Sequence, residues 1–291
     1  MSGVNIQIIE GKKKDLGEFS VERILPSRIR QMVGPYIFFD VMGPARFSPG
    51  QGVNVRPHPH IGLMTMTYLV EGSILHRDSL GFEQEILPGD MNLMIAGRGI
   101  VHSERETKEV REQEHSLYGI QLWLALPDGS EEVDPQFYHF KEKDLLTWKD
   151  GGIQRRLIAG EAYGQKAPAP TYSPLFYVEV HFQEEASKGL ELPNPEHELA
   201  LFVLQGKVKA GESDLKEGSF YYFEPRDRPL VNAEKGARIL LLGGEKFTTP
   251  RYMEWNFVSS SKERIEEAKK AWSQGEFPTV VGDEEEFIPY P

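Results

Sequence analysis

The 291-residue sequence contains no cysteine. That excludes disulfide stapling, thiolate metal sites and a thiol nucleophile. No apolar run approaches the roughly 20 residues that a membrane-spanning helix needs. Basic side chains are in deficit: 33 Lys and Arg stand against 45 Asp and Glu, a net charge of -12. Such a chain has no overall attraction for nucleic acid or an anionic membrane, so direct DNA binding is disfavoured, though a local basic patch stays open. The N-terminal Met1-Ser-Gly-Val-Asn5 lacks the basic flank and apolar core of a secretion signal. The expectation is a soluble, cytoplasmic protein with neither nucleic acid nor membrane as direct partner. Helical periodicity is scarce as well, and emerges clearly once, near the C-terminus.

What is present is short alternating stretches broken by Gly and Pro. Val4–Ile9 and Phe19–Ile24 read as edge strands, and Ile37–Asp40 as a short strand before an irregular loop. Leu63–Val70 is a strand, Glu71-Gly72 a two-residue turn, and Ser73–Arg77 the hairpin partner. Phe82–Leu87, Met91–Ala96, Ile100–Glu104 and Ser116–Leu126 follow. Evenly spaced strands of this kind predict an all-β barrel or sandwich. The looser stretch 131–171, with Gly151-Gly152 and Ala167-Pro-Ala-Pro170, reads as a connection. The second half then repeats the first in order: Leu199–Gly206 echoes Leu63–Gly72, and Leu215–Pro225 echoes Leu87–Ala96. The expected organisation is a barrel over 1–130, a connector over 131–171, and a second barrel with a C-terminal helix and tail over 172–291. That helix opens at Ser260-Ser-Lys-Glu263, a capping-box pattern. It carries Ile265, Ala268 and Trp272 on one packing face and stops at Gly275. The acidic stretch 282–287 reads as a solvated charge run.

Two pairs of residues carry the chemistry. His58 and His60 are two apart, as are His102 and Glu104, and in a strand such pairs share a face. On neighbouring strands they would aim three imidazoles and a carboxylate at one point, a set that suits a divalent transition metal. The bland alternative is two loop histidines beside prolines and a solvated turn. The duplication bears on the choice. Aligning Gly206 with Gly72 puts Leu192 and Asn194 opposite His58 and His60. Aligning Gly218 with Gly89 puts Val231 and Ala233 opposite His102 and Glu104. The second copy lacks all four residues, so a barrel of this kind folds without them; His197-Glu198 there is adjacent and cannot share a face. Met64, Met66 and Tyr68 have the parity of the histidines and would line the interior if no bulge intervenes. His76 is open between a place behind the site and a plain core or surface role. His115, His139 and His181 have no partner at metal spacing. Arg98, between two glycines, reads as a turn residue near the site that could meet an anionic group.

Gly52-x5-His58-x-His60 matches the first motif of the cupins. More specifically, the chain resembles the pirins. The matching pieces are Gly34–Pro44, Arg56–Gly62, Tyr68–Gly72, Pro88–Asp90 and Ala96–Glu104, extended by Gln121–Trp123 and the closing Gly282–Pro289. The resemblance implies two tandem cupin barrels with one metal, usually iron, in the N-terminal barrel, held by His58, His60, His102 and Glu104. The same ligands take nickel, copper, manganese, cobalt or zinc. Ile61 and Leu63 depart from the Arg and Phe more frequent in the family, which bears on pocket shape and substrate.

The resemblance further implies quercetin 2,3-dioxygenase activity on a flavonol and O2, with Glu104 both ligand and general base. A different class of function is also implied: an iron-dependent redox-sensing co-regulator that binds a transcription factor or metabolic enzyme. A cupin-type isomerase is a weaker third reading.

Overall fold

The alternating stretches become strands in the computed structural model, which describes residues 6–17, 19–184 and 189–291. Met1–Asn5, including the start of the expected Val4–Ile9 strand, lie outside the described residues. The chain is mostly β and divides into two units, one built from 12–23, 37–142 and 248–291, the other from 1–11, 24–36 and 143–247.

In the first unit a seven-stranded sheet runs in the order Gln136–Phe140, Met91–Ile95, Leu63–Glu71, His115–Ala125, Tyr36–Phe47, Ser20–Leu25, Lys12–Asp15. A four-stranded sheet runs Asn54–His60, Ile100–Arg105, Ile74–Asp78, Glu83–Ile86. Both contribute to one apolar core that includes Met42, Leu69, Ile74, Ile86 and Leu117. Burying each such side chain is worth about 2 kcal/mol. The Leu63–Glu71 and Ile74–Asp78 strands are joined at Gly72, whose φ of +85° places its missing Cβ against the Ser116 carbonyl. Only glycine fits that turn.

The second unit repeats the plan. Its larger sheet runs Ile6–Ile9, Phe220–Phe223, Glu198–Gln205, Arg238–Gly244, Leu175–Phe182, Ile153–Ala162, Leu146–Asp150, and its smaller one Ser213–Leu215, Val208–Ala210, Val231–Ala233. Each barrel thus sets a larger sheet against a smaller one, which is the tandem-cupin architecture expected from the sequence.

The expected boundaries differ from the units in three places. The segments 1–11 and 24–36, expected in the first barrel, belong to the second unit. The stretch 131–171 is no loose connector: Gln136–Phe140 closes the first unit's sheet, while Leu146–Asp150 and Ile153–Ala162 belong to the second unit's. Residues 248–291 belong with the first barrel, not the second. There Val258 donates to the Ile61 carbonyl at 3.2 Å, and Gly62, at φ +68°, leaves room for the Val258 carbonyl where a Cβ would sit. Arg251, almost sealed from solvent, pairs with Asp128 at 2.6 Å and Glu131 at 3.0 Å. The helix Lys262–Ser273 is capped by Ser261, one residue later than the capping-box reading, and ends before Gly275 at φ +72°. Its Ile265 and Ala268 pack with Ile61 and Phe257, and Trp272 lies against this cluster. The C-terminal helix is therefore a packing element of the first unit. No helix among the described residues is long and apolar enough to cross a membrane.

Candidate metal centre

The Asn54–His60 and Ile100–Arg105 strands pair antiparallel, with His102 directly opposite His58 and Ile100 opposite His60. Alternation along each strand turns the three histidines to one face. Their ring centroids are 4.4 to 5.0 Å apart, and one nitrogen of each lies within 4.8 Å of the other two. All three are buried, at 6%, 0% and 1% exposure for His58, His60 and His102.

Burial keeps these rings neutral. It pushes His58 down to about 4 and holds His60 and His102 well below the usual histidine range, with repulsion from neighbouring rings, His76 included, adding to the effect. Neutral imidazoles present lone pairs, which is the form a metal takes. The hydrogen bonds assign which nitrogen is free. His58 Nδ1 donates to the Arg56 carbonyl at 2.8 Å, leaving Nε2 bare. His76 Nε2 donates to Asp78 at 2.9 Å, and its Nδ1 faces His102 Nδ1 at 3.4 Å. His102 Nε2 lies 3.1 Å from His60 Nε2. The Asn256 backbone faces the His60 ring without completing a hydrogen bond to Nδ1. A cation between the three Nε2 atoms would satisfy every lone pair, so the donor set fits a divalent metal.

Glu104 stands apart from this trio. Its carboxylate is not within 4.8 Å of all three nitrogens. Against the Ile74–Asp78 strand the register of His102, Ser103 and Glu104 is unbroken, so Glu104 keeps the face of His102, and the extra residue of the register shift lies on the Asn54–His60 strand. Glu104 sits opposite His76 on the other neighbouring strand and is 9% exposed. Gln121 Nε2 donates to its Oε1 at 3.3 Å, and Thr67 Oγ1 lies 3.4 Å from the same atom while donating to Gln121 Oε1 at 2.6 Å. Burial raises the Glu104 pKa, opposed by His76 and by these two hydrogen bonds.

The structure adds partners that the sequence did not single out: Asp78 behind His76, Thr67 and Gln121 on Glu104, and Trp123, whose ring meets His60 edge-on at 4.9 Å and stacks on Phe38 at 3.9 Å. Thr67 and Gln121 are direct neighbours across the larger sheet. Since Thr67 faces the site, Met64, Met66 and Tyr68 point to the opposite face of their strand. Their expected parity fails because Gly62 interrupts the run and the chain changes sheets there. His76 is 4% exposed and stacks on Phe137 at 4.3 Å, which resolves its two readings in favour of a place behind His102. Arg98 is exposed and pairs with Asp134. His115 lies 3.1 Å from Glu106, and His139 is held by Asn92 at 2.8 Å.

The second barrel fills the corresponding place with carbon. Leu190, Leu192 and Val231 lie in its apolar core, with Ala233 packed against it. Val231 bridges Leu190, so Leu190 rather than Leu192 takes the place across from it, a shift of two that keeps the same face. Asn194 leaves the core and donates to the Glu161 carbonyl.

Comparison with known proteins agrees with this geometry. The pirin family model matches residues 18–124, and the pirin C-terminal cupin domain model matches 177–278. A pirin-like protein of Caulobacter vibrioides is 46% identical over 287 residues, 98% of each chain. The crystal structure of quercetin 2,3-dioxygenase from Acinetobacter baumannii is 33% identical, covers 98% of this chain and 95% of its own, and superposes with a TM-score of 0.91. A bacterial pirin from Escherichia coli in complex with nickel(II) is 15% identical, covers 83% of this chain and 100% of its own, and shares the fold at a TM-score of 0.65. With both barrels matched by their family models and a relative aligned along nearly the whole chain, this protein belongs to the pirin family.

Proposed function

We propose that the chain is a metal-dependent dioxygenase that opens quercetin-type flavonols with O2, with iron(II) held by His58, His60 and His102 and with Glu104 as fourth ligand. The observation that supports this most directly is the trio of buried, neutral imidazoles with bare nitrogens turned inward. The likeness to the Acinetobacter baumannii enzyme supports the choice of substrate class. The metal, when bound, supplies Lewis acidity toward a flavonol hydroxyl and sites for substrate and O2.

The residues of the chain then have separate tasks. Glu104 takes the proton of the flavonol 3-hydroxyl at a carboxylate oxygen; its raised pKa makes it a better base than an exposed glutamate. Gln121 and Thr67 hold that carboxylate in place. Asp78 holds His76, and His76 backs the His102 ring. Because the three rings are nearly sealed, a flavonol reaches them only when covering side chains move aside, which also keeps bulk water out.

The test is to load the protein with Fe(II) and, separately, with Ni, Cu, Mn, Co or Zn, add quercetin in air, and follow loss of the flavonol absorbance with carbon monoxide release. Glu104→Gln with metal content retained should abolish turnover. Absence of turnover with every metal would overturn the dioxygenase reading, and full activity in Glu104→Gln would remove the base.

A further inference from the structure

The second barrel holds two guanidinium groups whose Nε and Nη1 are buried with no hydrogen-bond partner among the described residues. Arg155, on the Ile153–Ala162 strand, is 8% exposed, and its Nε and Nη1 have no hydrogen-bond partner among the described residues. Arg228 is in the same condition at Nε and Nη1; its Nη2 donates to the His197 carbonyl. Arg156 and Arg238, on the same sheet, instead share Glu179, and Arg226 pairs with the exposed Glu196.

Both meet at Tyr163. The Arg155 guanidinium carbon is 5.1 Å from the Tyr163 ring centroid, and the charges of Arg155 and Arg228 both act on its hydroxyl. That hydroxyl donates to the Glu191 carbonyl at 2.8 Å. Glu191 itself is exposed, and its charge acts on the same hydroxyl. Tyr163 cannot supply the missing negative charge itself, because burial raises its pKa and keeps it a neutral phenol. Burial likewise pulls Arg228 down to about 10, a sign that its charge is under-compensated. Next to this loop is a cavity of about 370 Å³ lined by Glu161, Tyr172, Asn194 and His197; the His197 Nδ1 is also buried without a partner.

A buried cation is stable when paired, and an arginine fork matches the oxygen pairs of phosphate and carboxylate. Two such forks with four unpartnered nitrogens call for an anion of two charges. We propose that the second barrel binds a small dianionic oxyanion, a phosphate group or a dicarboxylate, between Arg155 and Arg228 with Tyr163 alongside. The barrel that carries carbon in place of metal ligands would then be a ligand-binding module of its own.

The test uses the full-length protein, titrated by calorimetry with inorganic phosphate, sulfate and succinate against chloride at constant ionic strength. Saturable binding of phosphate or sulfate identifies the tetrahedral anion, and binding of succinate identifies the dicarboxylate. Arg155→Gln and Arg228→Gln should each weaken that binding by about tenfold or more, the loss of a charge-assisted pair. Chelator-treated protein should bind the anion as the metal-loaded protein does, which separates this outcome from the dioxygenase reading. No saturable binding of any of the three by the unmutated protein up to about 10 mM would overturn the proposal, with no need for a variant that folds. So would unchanged binding in the arginine variants. A third readout is Arg155→Met, which should unfold at lower temperature in phosphate than the parent; a variant more stable than the parent in every buffer would mean the charge has no partner to lose.

Discussion

His76 stands directly behind His102. Their Nδ1 atoms are 3.4 Å apart, and His76 passes its own Nε2 proton into a 2.9 Å hydrogen bond with Asp78. A carboxylate and two imidazoles thus form one line that ends on the His102 ring. Replacing His76 with Phe keeps a flat ring against Phe137 but removes the nitrogen that faces His102 Nδ1. The expected result is a metal affinity lower by about 10- to 100-fold at nearly unchanged folding, measured by competition with a chromogenic chelator and by thermal unfolding. Affinity equal to the parent's would show that His102 does not need this support.

Gly52 opens the strand that carries His58 and His60, and its side-chain position is already taken. A Cβ there would overlap Oε2 of Glu106, and the backbone φ of +143° disfavours any other residue. The same Glu106 oxygen accepts the Val53 backbone N–H at 3.0 Å, so the carboxylate anchors the start of the strand. Gly52→Ala should cost about 2 kcal/mol or more in urea unfolding, through strain and displacement of this buried carboxylate. A stability within error of the parent would contradict the crowding.

Without metal, the three histidines fold as neutral rings. Burial lowers His58 to about 4, and His60 and His102 well below the unfolded value of 6.5. Between those values the unfolded chain binds protons that the folded chain refuses, so stability falls as the pH falls. The contribution is complete above about pH 6.5 and is lost on the way down through the folded values; for His58 alone it amounts to about 3 kcal/mol. Chelated protein should therefore melt at clearly lower temperature at about pH 5 than at about pH 7.5, and a divalent metal should offset part of the loss near neutrality. A melting temperature flat over this range would mean that the rings are protonated or open to water in the fold.

The histidine trio was legible because its signal is local. Alternation on two strands aims His58, His60 and His102 to one side whatever the rest of the chain does, and the apolar counterparts in the second barrel singled them out. The shared face of His102 and Glu104 was legible by the same alternation, but the extra residue between Val55 and His58 on the partner strand was not, since a bulge leaves no mark in the sequence. The parity of Met64, Met66 and Tyr68 failed at Gly62 for a related reason: a single glycine marks a turn but does not say that the chain leaves one sheet for another. The stretch 131–171 was misjudged by its Gly and Pro content, and in Ile153-Gln-Arg-Arg-Leu157 the inward Arg155 hides the alternation that marks the other strands. The return of 248–291 to the first unit rests on contacts between residues far apart in sequence, such as Arg251 with Asp128, and no local pattern encodes them.

That return has a consequence for the site, because the tail grips both ligand-bearing strands. Arg105, at the end of the His102 strand, makes a two-pronged ion pair with Asp283 at 2.6 and 2.8 Å and reaches Glu286 at 3.0 Å. The Ile288 N–H donates to the Pro57 carbonyl at 2.8 Å, one residue before His58. The acidic stretch is therefore only partly the solvated run expected of it: Glu284, Glu285 and Glu286 are exposed, but the Asp283 side chain is 9% exposed and Arg105's 21%. A half-buried bidentate pair is worth more than a surface one, so Asp283→Asn should lower stability by about 1–2 kcal/mol. If the tail also holds the two strands in register, the same change should weaken metal binding, whereas Glu285→Gln, at an exposed neighbour without this pairing, should alter neither. Equal effects of the two substitutions on unfolding and on chelator competition would show that the tail merely lies on the barrel.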